Sequence, residues 1–367
     1  MDAYLRERIE RAAESSVLDL SGLGLTHLPE AVRSLRGLSW LDISENSLTA
    51  LPEWLGELSS LTWLEAGGNQ LTQLPESTRE LERVTLVDLS GNDFHEFPRQ
   101  LIELRDLVSL NLATNQIDEI PTAARFCLPF LTTLDLQGNR LAAIPDWLEE
   151  CEELAVVRLD GNRLTEAPHA LRKLSHLSVI QLGCNHLKEL PAWLGELTEL
   201  TRLVVNGNEI RRLPEELSRL SGLRRLDFGG NQISDLPRSF SALNSLTCLD
   251  VSENTLTEVP ECLLGLSSLT RLDLRGNQLT DLPEGFSRLV GLTWLGLSFN
   301  PLKRLPERLS DLTDLVWLKI SHASLTTLPD WLDEFTNLVE LEVDGNPFDS
   351  VPEYVAGQRL EDLAPVM

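Results

Sequence analysis

Tyrosine and methionine occur only twice each in 367 residues, lysine four times and cysteine five. An odd number of cysteines with no C-x-x-C pair excludes a disulfide framework and points to a reducing, cytoplasmic setting. Long apolar runs are missing too. No stretch approaches the ~20 residues that cross a bilayer, and the charged opening Met1-Asp2-Ala3-Tyr4-Leu5-Arg6-Glu7-Arg8 has no apolar segment behind it. Neither a membrane span nor a secretory leader is predicted. The six histidines, His27, His95, His169, His176, His186 and His322, share no ligand spacing. No Ser-His-Asp arrangement can be argued, because serine is simply frequent. The phosphate-binding pattern G-x-x-x-x-G-K-[ST] does not occur. No catalytic residue, metal or cofactor is predicted.

Positive charge is scarce as well. The net charge is -26, which repels nucleic acid and anionic membrane surfaces, so neither is an expected partner. The plainest reading of the acidity is a solvated outer face.

What is present in quantity is repetition. Fifteen prolines, Pro29, Pro52, Pro75, Pro98, Pro121, Pro145, Pro168, Pro191, Pro214, Pro237, Pro260, Pro283, Pro306, Pro329 and Pro352, recur every 23 residues, with one step of 24 after Pro121. Beside them runs a ladder of asparagines: Asn46, Asn69, Asn92, Asn115, Asn139, Asn162, Asn185, Asn208, Asn231, Asn254, Asn277, Asn300 and Asn346. Leu23 and Ala323 occupy the two deviant slots. Between the ladders lies L-x-x-L-x-L-x-x-N-x-L, as in Leu269-Thr270-Arg271-Leu272-Asp273-Leu274-Arg275-Gly276-Asn277-Gln278-Leu279.

Each position has a physical task. In L-x-L the two leucines of a short strand point inward, and the residues between them point out. A buried Asn offers a donor and an acceptor to the backbone of its own coil and the next. At Ala323 this clamp is lost, so a weaker turn or an ordered water is expected there. Proline suits the first position of a helical return segment, and the acids that follow it favour that helix end. One coil cannot bury its apolar side; stacked coils can. The pattern therefore predicts an α/β solenoid: a right-handed leucine-rich-repeat horseshoe of about 15 repeats, with a parallel concave sheet and short convex helices or 3-10 turns. Residues 1–16 are expected to form an N-terminal capping helix, from the stripe Tyr4, Leu5, Ile9, Ala12 and Ala13. Residues 17–352 form the solenoid and 353–367 a short cap or tail, in one continuous domain. Tyr354, Val355, Leu360 and Leu363 give that tail little to cover the last coil, which leaves weak end-to-end self-association open.

The phrase Leu18-Asp19-Leu20-Ser21-Gly22-Leu23-Gly24-Leu25-Thr26-His27-Leu28-Pro29-Glu30, behind Glu7-Arg8-Ile9-Glu10-Arg11-Ala12, resembles the opening of repeat domains in bacterial Roco proteins. The 23-residue pattern is also similar to Ras-suppressor-type proteins and to plant intracellular Ras-group repeats. The resemblance covers nearly the whole chain. It is specific for fold and weak for function, because this scaffold serves many partners. Roco proteins carry a Ras-like GTPase after the repeats; without the phosphate-binding pattern, that activity is not carried over. Some pathogen effectors join similar repeats to a cysteine ubiquitin ligase, for which the residues after Pro352 leave no room.

Function is expected in the outward slots. The slot before the first inward strand leucine reads Val17, Trp40, Trp63, Leu86, Ser109, Thr133, Val156, Val179, Arg202, Arg225, Cys248, Arg271, Trp294, Trp317 and Glu340. Trp40/Trp63 and Trp294/Trp317 are expected to face solvent as anchors for a protein partner on the concave face; the alternative is a cross-strand stack. Arg158, Arg202, Arg225 and Arg271, with Lys319, are the basic candidates. They form either a binding patch or an internal mesh in which Arg225 and Arg271 flank Asp250. Asp19, Asp42, Glu65 and Asp88 make an acidic row, open to a basic groove and, remotely, to calcium. Trp54, Trp147, Trp193 and Trp331, each two residues after a register proline, are read as convex packing. Cys127 and Cys151 each lie six residues after a register proline in adjacent coils and could approach disulfide distance, although the extra residue before Leu131 shifts the alignment and the reducing setting disfavours a bridge. The leading expectation is a non-catalytic scaffold. The alternatives are a tether for an enzyme such as a Ras-like GTPase or phosphatase, a sensing module of a Roco-like system, and a bacterial effector.

Overall fold

The computed structural model describes residues 3–126 and 129–348. Cys127, and with it the pairing to Cys151, lies outside these residues, as does the tail 353–367. The chain divides into two compact units, Met1–Leu187 and Lys188–Met367.

The first unit opens with helix α1 (Ala3–Ser15), whose Leu5, Ile9 and Ala12 are buried while Arg8 reaches the Asp19 carboxylate at 3.3 Å. Eight strands follow: β1 (Val17–Asp19), β2 (Trp40–Asp42), β3 (Trp63–Glu65), β4 (Leu86–Asp88), β5 (Ser109–Asn111), β6 (Thr133–Asp135), β7 (Val156–Arg158) and β8 (Val179–Gln181). The second unit carries β9 (Arg202–Val204), β10 (Arg225–Asp227), β11 (Cys248–Asp250), β12 (Arg271–Asp273), β13 (Trp294–Gly296), β14 (Trp317–Lys319) and β15 (Glu340–Glu342). Within each unit the strands pair in parallel and in chain order. The pairing is residue for residue, as in Val17↔Trp40↔Trp63 and Arg225↔Cys248↔Arg271. Equal repeat length thus turns sequence slots into columns. The central residue of every strand from β1 to β14 is at most 2% exposed.

Short 3-10 turns make the return path, and Trp54, Trp147 and Trp331 are buried on them. The register prolines differ from expectation by one residue. Pro29 is extended (φ -61°, ψ 134°), and its carbonyl accepts the Val32 amide at 3.0 Å. The proline is therefore the cap, and the acid after it is the first helical residue. An i+3→i bond needs the carbonyl just outside the turn, which proline supplies without wasting an amide.

The asparagine ladder behaves as its chemistry dictates. Asn46 Oδ1 accepts the amides of Leu23 (3.0 Å) and Leu25 (2.9 Å). Its Nδ2 donates to the carbonyls of Leu20, Ile43 and Ser44 at 2.9–3.0 Å. Asn69 Nδ2 donates to that same Ile43 carbonyl, so one coil is clamped by two asparagines. In the second unit Asn231 repeats the pattern, accepting from Ile210 and donating to Val205, Phe228 and Gly229. Where Ala323 replaces the Asn, the Leu302 amide turns back to the Asn300 carbonyl at 2.9 Å. The equivalent Leu279 amide is held by Asn300 Oδ1 at 3.0 Å.

Asn231→Ala strands the Ile210 amide and should cost about 3 kcal/mol in chemical denaturation; a loss below about 0.5 kcal/mol would show the ladder to be dispensable. The Leu302 amide, held only by a tight local turn, should exchange faster than that of Leu279. Equal protection would refute the idea that Ala323 weakens its coil.

Candidate functional site

Three-residue strands leave two outward side chains each, so each unit presents two columns. In the first unit, Trp40 is half-buried and Trp63 is 39% exposed, with ring centroids 5.3 Å apart and planes inclined by 28°. This pair stacks and still leaves one ring face open. Beside it, Asp42, Glu65 and Asp88 align in register. Asp42 and Asp88 each accept the backbone amide and the hydroxyl of a serine two residues on, at 2.9 and 2.6 Å. Asp19 does the same with Ser21, and those bonds hold its carboxyl below the usual range. The three aspartates of the acidic row thus close turns at the strand ends. Burial, with the charges of Asp42 and Asp88, pushes Glu65 up. Among the described residues no group of acids, His or Cys could hold a metal ion. Arg158 donates to Gln181 at 3.1 Å and lies 3.5 Å from Asp135, so it belongs to a mesh inside its own unit.

The second unit is arranged differently. Its first column reads Arg202, Arg225, Cys248, Arg271, Trp294, Trp317 and Glu340 in unbroken register. Trp294 corrects the expectation of two solvent-facing pairs: it is only 9% exposed. Gly296, two residues along the same strand, has no side chain, and the indole folds into that space. A methyl group on Gly296 would sit 2.6 Å from the ring. The Arg271 guanidinium covers the other side, 3.6 Å from the ring centroid. Trp317 stays 39% exposed.

The mesh expected around Asp250 is not formed as drawn. Arg225 lies 3.6 Å from Asp227 on its own strand, and Arg275 lies 3.6 Å from Asp273. Asp250 accepts instead from Ser252, and Arg225 and Arg271 flank Cys248. Burial raises the Cys248 thiol. Lys319 is held by Glu342 at 2.5 Å and Glu340 at 3.2 Å. Burial opposes its charge, but those partners outweigh it and keep its pKa above the ordinary value. Lys319 is therefore engaged with β15.

Asp273 is the most deeply covered acid of the second column, its side chain 2% exposed. Burial, then the neighbouring Asp250 charge, pushes its carboxyl up to about 6. A raised folded-state pKa favours folding while the proton is bound. That stabilisation is complete below the unfolded value near 4 and is lost as pH rises through about 6. Asp273→Asn should remove this slope, gaining on wild type by about 2 kcal/mol between pH 4 and pH 7. Parallel stability curves over that range would contradict the assignment.

Sequence reading missed one recurrent feature. The residue before each ladder Asn adopts a left-handed backbone, as at Gly68 (φ 65°) and Gly276 (φ 64°). Glu45, Thr114, Cys184, Glu253, Phe299 and His322 adopt it without being glycine. The repeated Gly-Asn dipeptide was the available signal. Phe299 is 56% exposed there and stacks on His322 at 4.6 Å with planes inclined by 9°.

The architecture recurs among solved structures. A leucine-rich-repeat protein of Leptospira interrogans superposes with a TM-score of 0.83 at 29% identity, over 96% of this chain and 95% of that one. YopM, a leucine-rich effector of Yersinia pestis, gives 0.73 at 29% identity, over 95% and 89%. The plant peptide hormone receptor RGFR1, solved in complex with RGF2, gives 0.74 at 28% identity, over 92% of this chain and 56% of the receptor. No curated protein sequence matches significantly. The leucine rich repeat family model matches residues 16–71, 75–141, 152–210, 198–256 and 254–302. These segments cover well over half of the chain, in the register set by its prolines and asparagines, and the chain belongs to the leucine-rich-repeat family.

Proposed function

We propose that this chain is a non-catalytic, cytoplasmic scaffold that binds protein partners on the outward faces of its sheets. The observation that carries the reading is the placement of tryptophan. Trp54, Trp147 and Trp331 are buried on the return turns and Trp193 is half-buried there, whereas Trp63 and Trp317 remain 39% exposed in the outward columns. Large rings kept in contact with water on a rigid sheet are typical interface anchors. The columns are held by parallel pairing of each strand with its neighbours in the sheet, so a partner binds without ordering the surface first. The solved complex of RGFR1 with RGF2 is a case in which a related architecture takes a peptide. Five cysteines without framework spacing support the cytoplasmic setting. Among the described residues no helix is long and apolar enough to cross a membrane.

Affinity capture with mass spectrometry tests the reading, comparing wild type with Trp63→Ala and Trp317→Ala. Neither ring is in the core, so both variants should keep the wild-type melting temperature within a few degrees. At least one should lose its captured partner by roughly 10-fold or more in affinity. Wild-type affinity for every captured protein in both variants would end the proposal.

A further inference from the structure

The second unit's outward face says something about the chemistry of its partner, on the premise that this face binds protein. The whole chain carries -26, yet the first column of this unit begins with Arg202 and Arg225, continues after Cys248 with Arg271, and runs on to Trp294 and Trp317. Of the carboxylates beside the arginines, Asp227 and Asp273 are sunk, and the half-buried Asp250 is held by Ser252. The side chains of Asp227 and Asp273 are 12% and 2% exposed, against 45% for Arg225 and 52% for Arg275. A partner therefore meets guanidinium groups, with acid beneath them.

Two of these groups have donors to spare. Arg202 makes no hydrogen bond or ion pair among the described residues, and its Nε is buried without a partner. The Arg271 guanidinium lies over Trp294, and the side chain makes no hydrogen bond or close ion pair among the described residues, which leaves its N–H donors unengaged. A buried donor with no acceptor is costly, and a guanidinium edge is shaped for carboxylate oxygens.

We propose that this column binds an extended acidic peptide segment lying across the strands. Adjacent strands are ~4.8 Å apart, so Arg225 and Arg271 are separated by ~10 Å, which an extended chain covers in about three residues. The segment would present one carboxylate to Arg202 and Arg225, which lie on adjacent strands, and a second about three residues on to Arg271, followed by an aromatic or apolar residue against the exposed ring of Trp317. The surrounding negative charge disfavours any densely charged polyanion, so recognition rests on a few carboxylates spaced to meet the arginines, which a polyphosphate does not offer.

The test uses the full chain and three fluorescein-labelled probes, followed by anisotropy. The first is a peptide with glutamate at every third position and phenylalanine at one end, the second its glutamine counterpart, and the third a single-stranded oligo-thymidine. The glutamate peptide should bind at least 10-fold more tightly than the other two. Arg202→Gln with Arg271→Gln should reduce that binding at least 10-fold. Arg202→Gln alone, which leaves the Trp294 stack untouched, should reduce it severalfold. The proposal is overturned if the glutamate and glutamine peptides bind alike or not at all, if the arginine variants bind like wild type, or if the oligonucleotide binds as tightly. Should Trp317→Ala lose a captured partner that both arginine variants retain, the face binds protein but not by acid recognition. The scaffold reading then stands and this one falls.

Discussion

A buried amide side chain in each coil is what makes the rest of this architecture affordable. A turn packed between two others has no water to satisfy its amides and carbonyls, and an unpaired one costs ~1–3 kcal/mol. Asn46 alone serves five such groups, two through Oδ1 and three through Nδ2, drawn from its own coil and the one before. Glutamine would reach too far, and aspartate would lack the donor. Because one asparagine spans two coils, it also fixes the offset between them. The ladder is at once a solution to desolvation and the device that sets strand register.

Register then restricts where function can be written. With three-residue strands whose centres are buried, a coil contributes two outward side chains. The second is largely committed to closing the turn, as at Asp42, Asp88 and Asp250, each bonded to a serine two residues on. The first is free of structural duty and varies widely, from Val17 through Trp63 to Arg202 and Glu340. Chemical individuality is therefore concentrated in one column per unit, which is where both exposed strand tryptophans and Arg202, Arg225 and Arg271 are found.

That division explains how much could be read from the chain. Period, strand positions and inward leucines follow from spacing, because each is a property of the repeat; so does the burial of Trp54, Trp147 and Trp331, while Trp193 in the same slot is only half-buried. The column membership of Trp40, Trp63, Arg202, Arg225 and Arg271 follows too, since equal coil length fixes it. Side-chain direction within a column does not follow. Trp294 and Trp317 occupy the same slot and differ fourfold in exposure, because the residue two along is Gly296 in one strand and Lys319 in the other. Which carboxylate an arginine chooses was equally hidden. Arg225 and Asp250 sit diagonally on adjacent strands, yet a serine already holds Asp250, and Arg225 turns to Asp227 on its own strand.

The departures from the repeat obey a rule of their own. Glu45, at φ 53°, folds its carboxylate over the next coil's Gly68, where a methyl group would be 2.5 Å from Oε1. Glu253 does the same over Gly276, and the His322 ring lies over Gly345. A non-glycine residue in left-handed backbone carries strain of about 1 kcal/mol, and each of these recovers part of it by packing on bare backbone one coil along. Glycine in one coil is therefore the room that permits a large side chain in the coil before. Phe299 stacked on His322, which in turn covers Gly345, extends the same relation over three coils. Individual coils thus diverge in pairs rather than singly, and a substitution such as Gly276→Ala would be felt first at Glu253. The repeat supplies a uniform frame, and the frame passes each local exception to its neighbour.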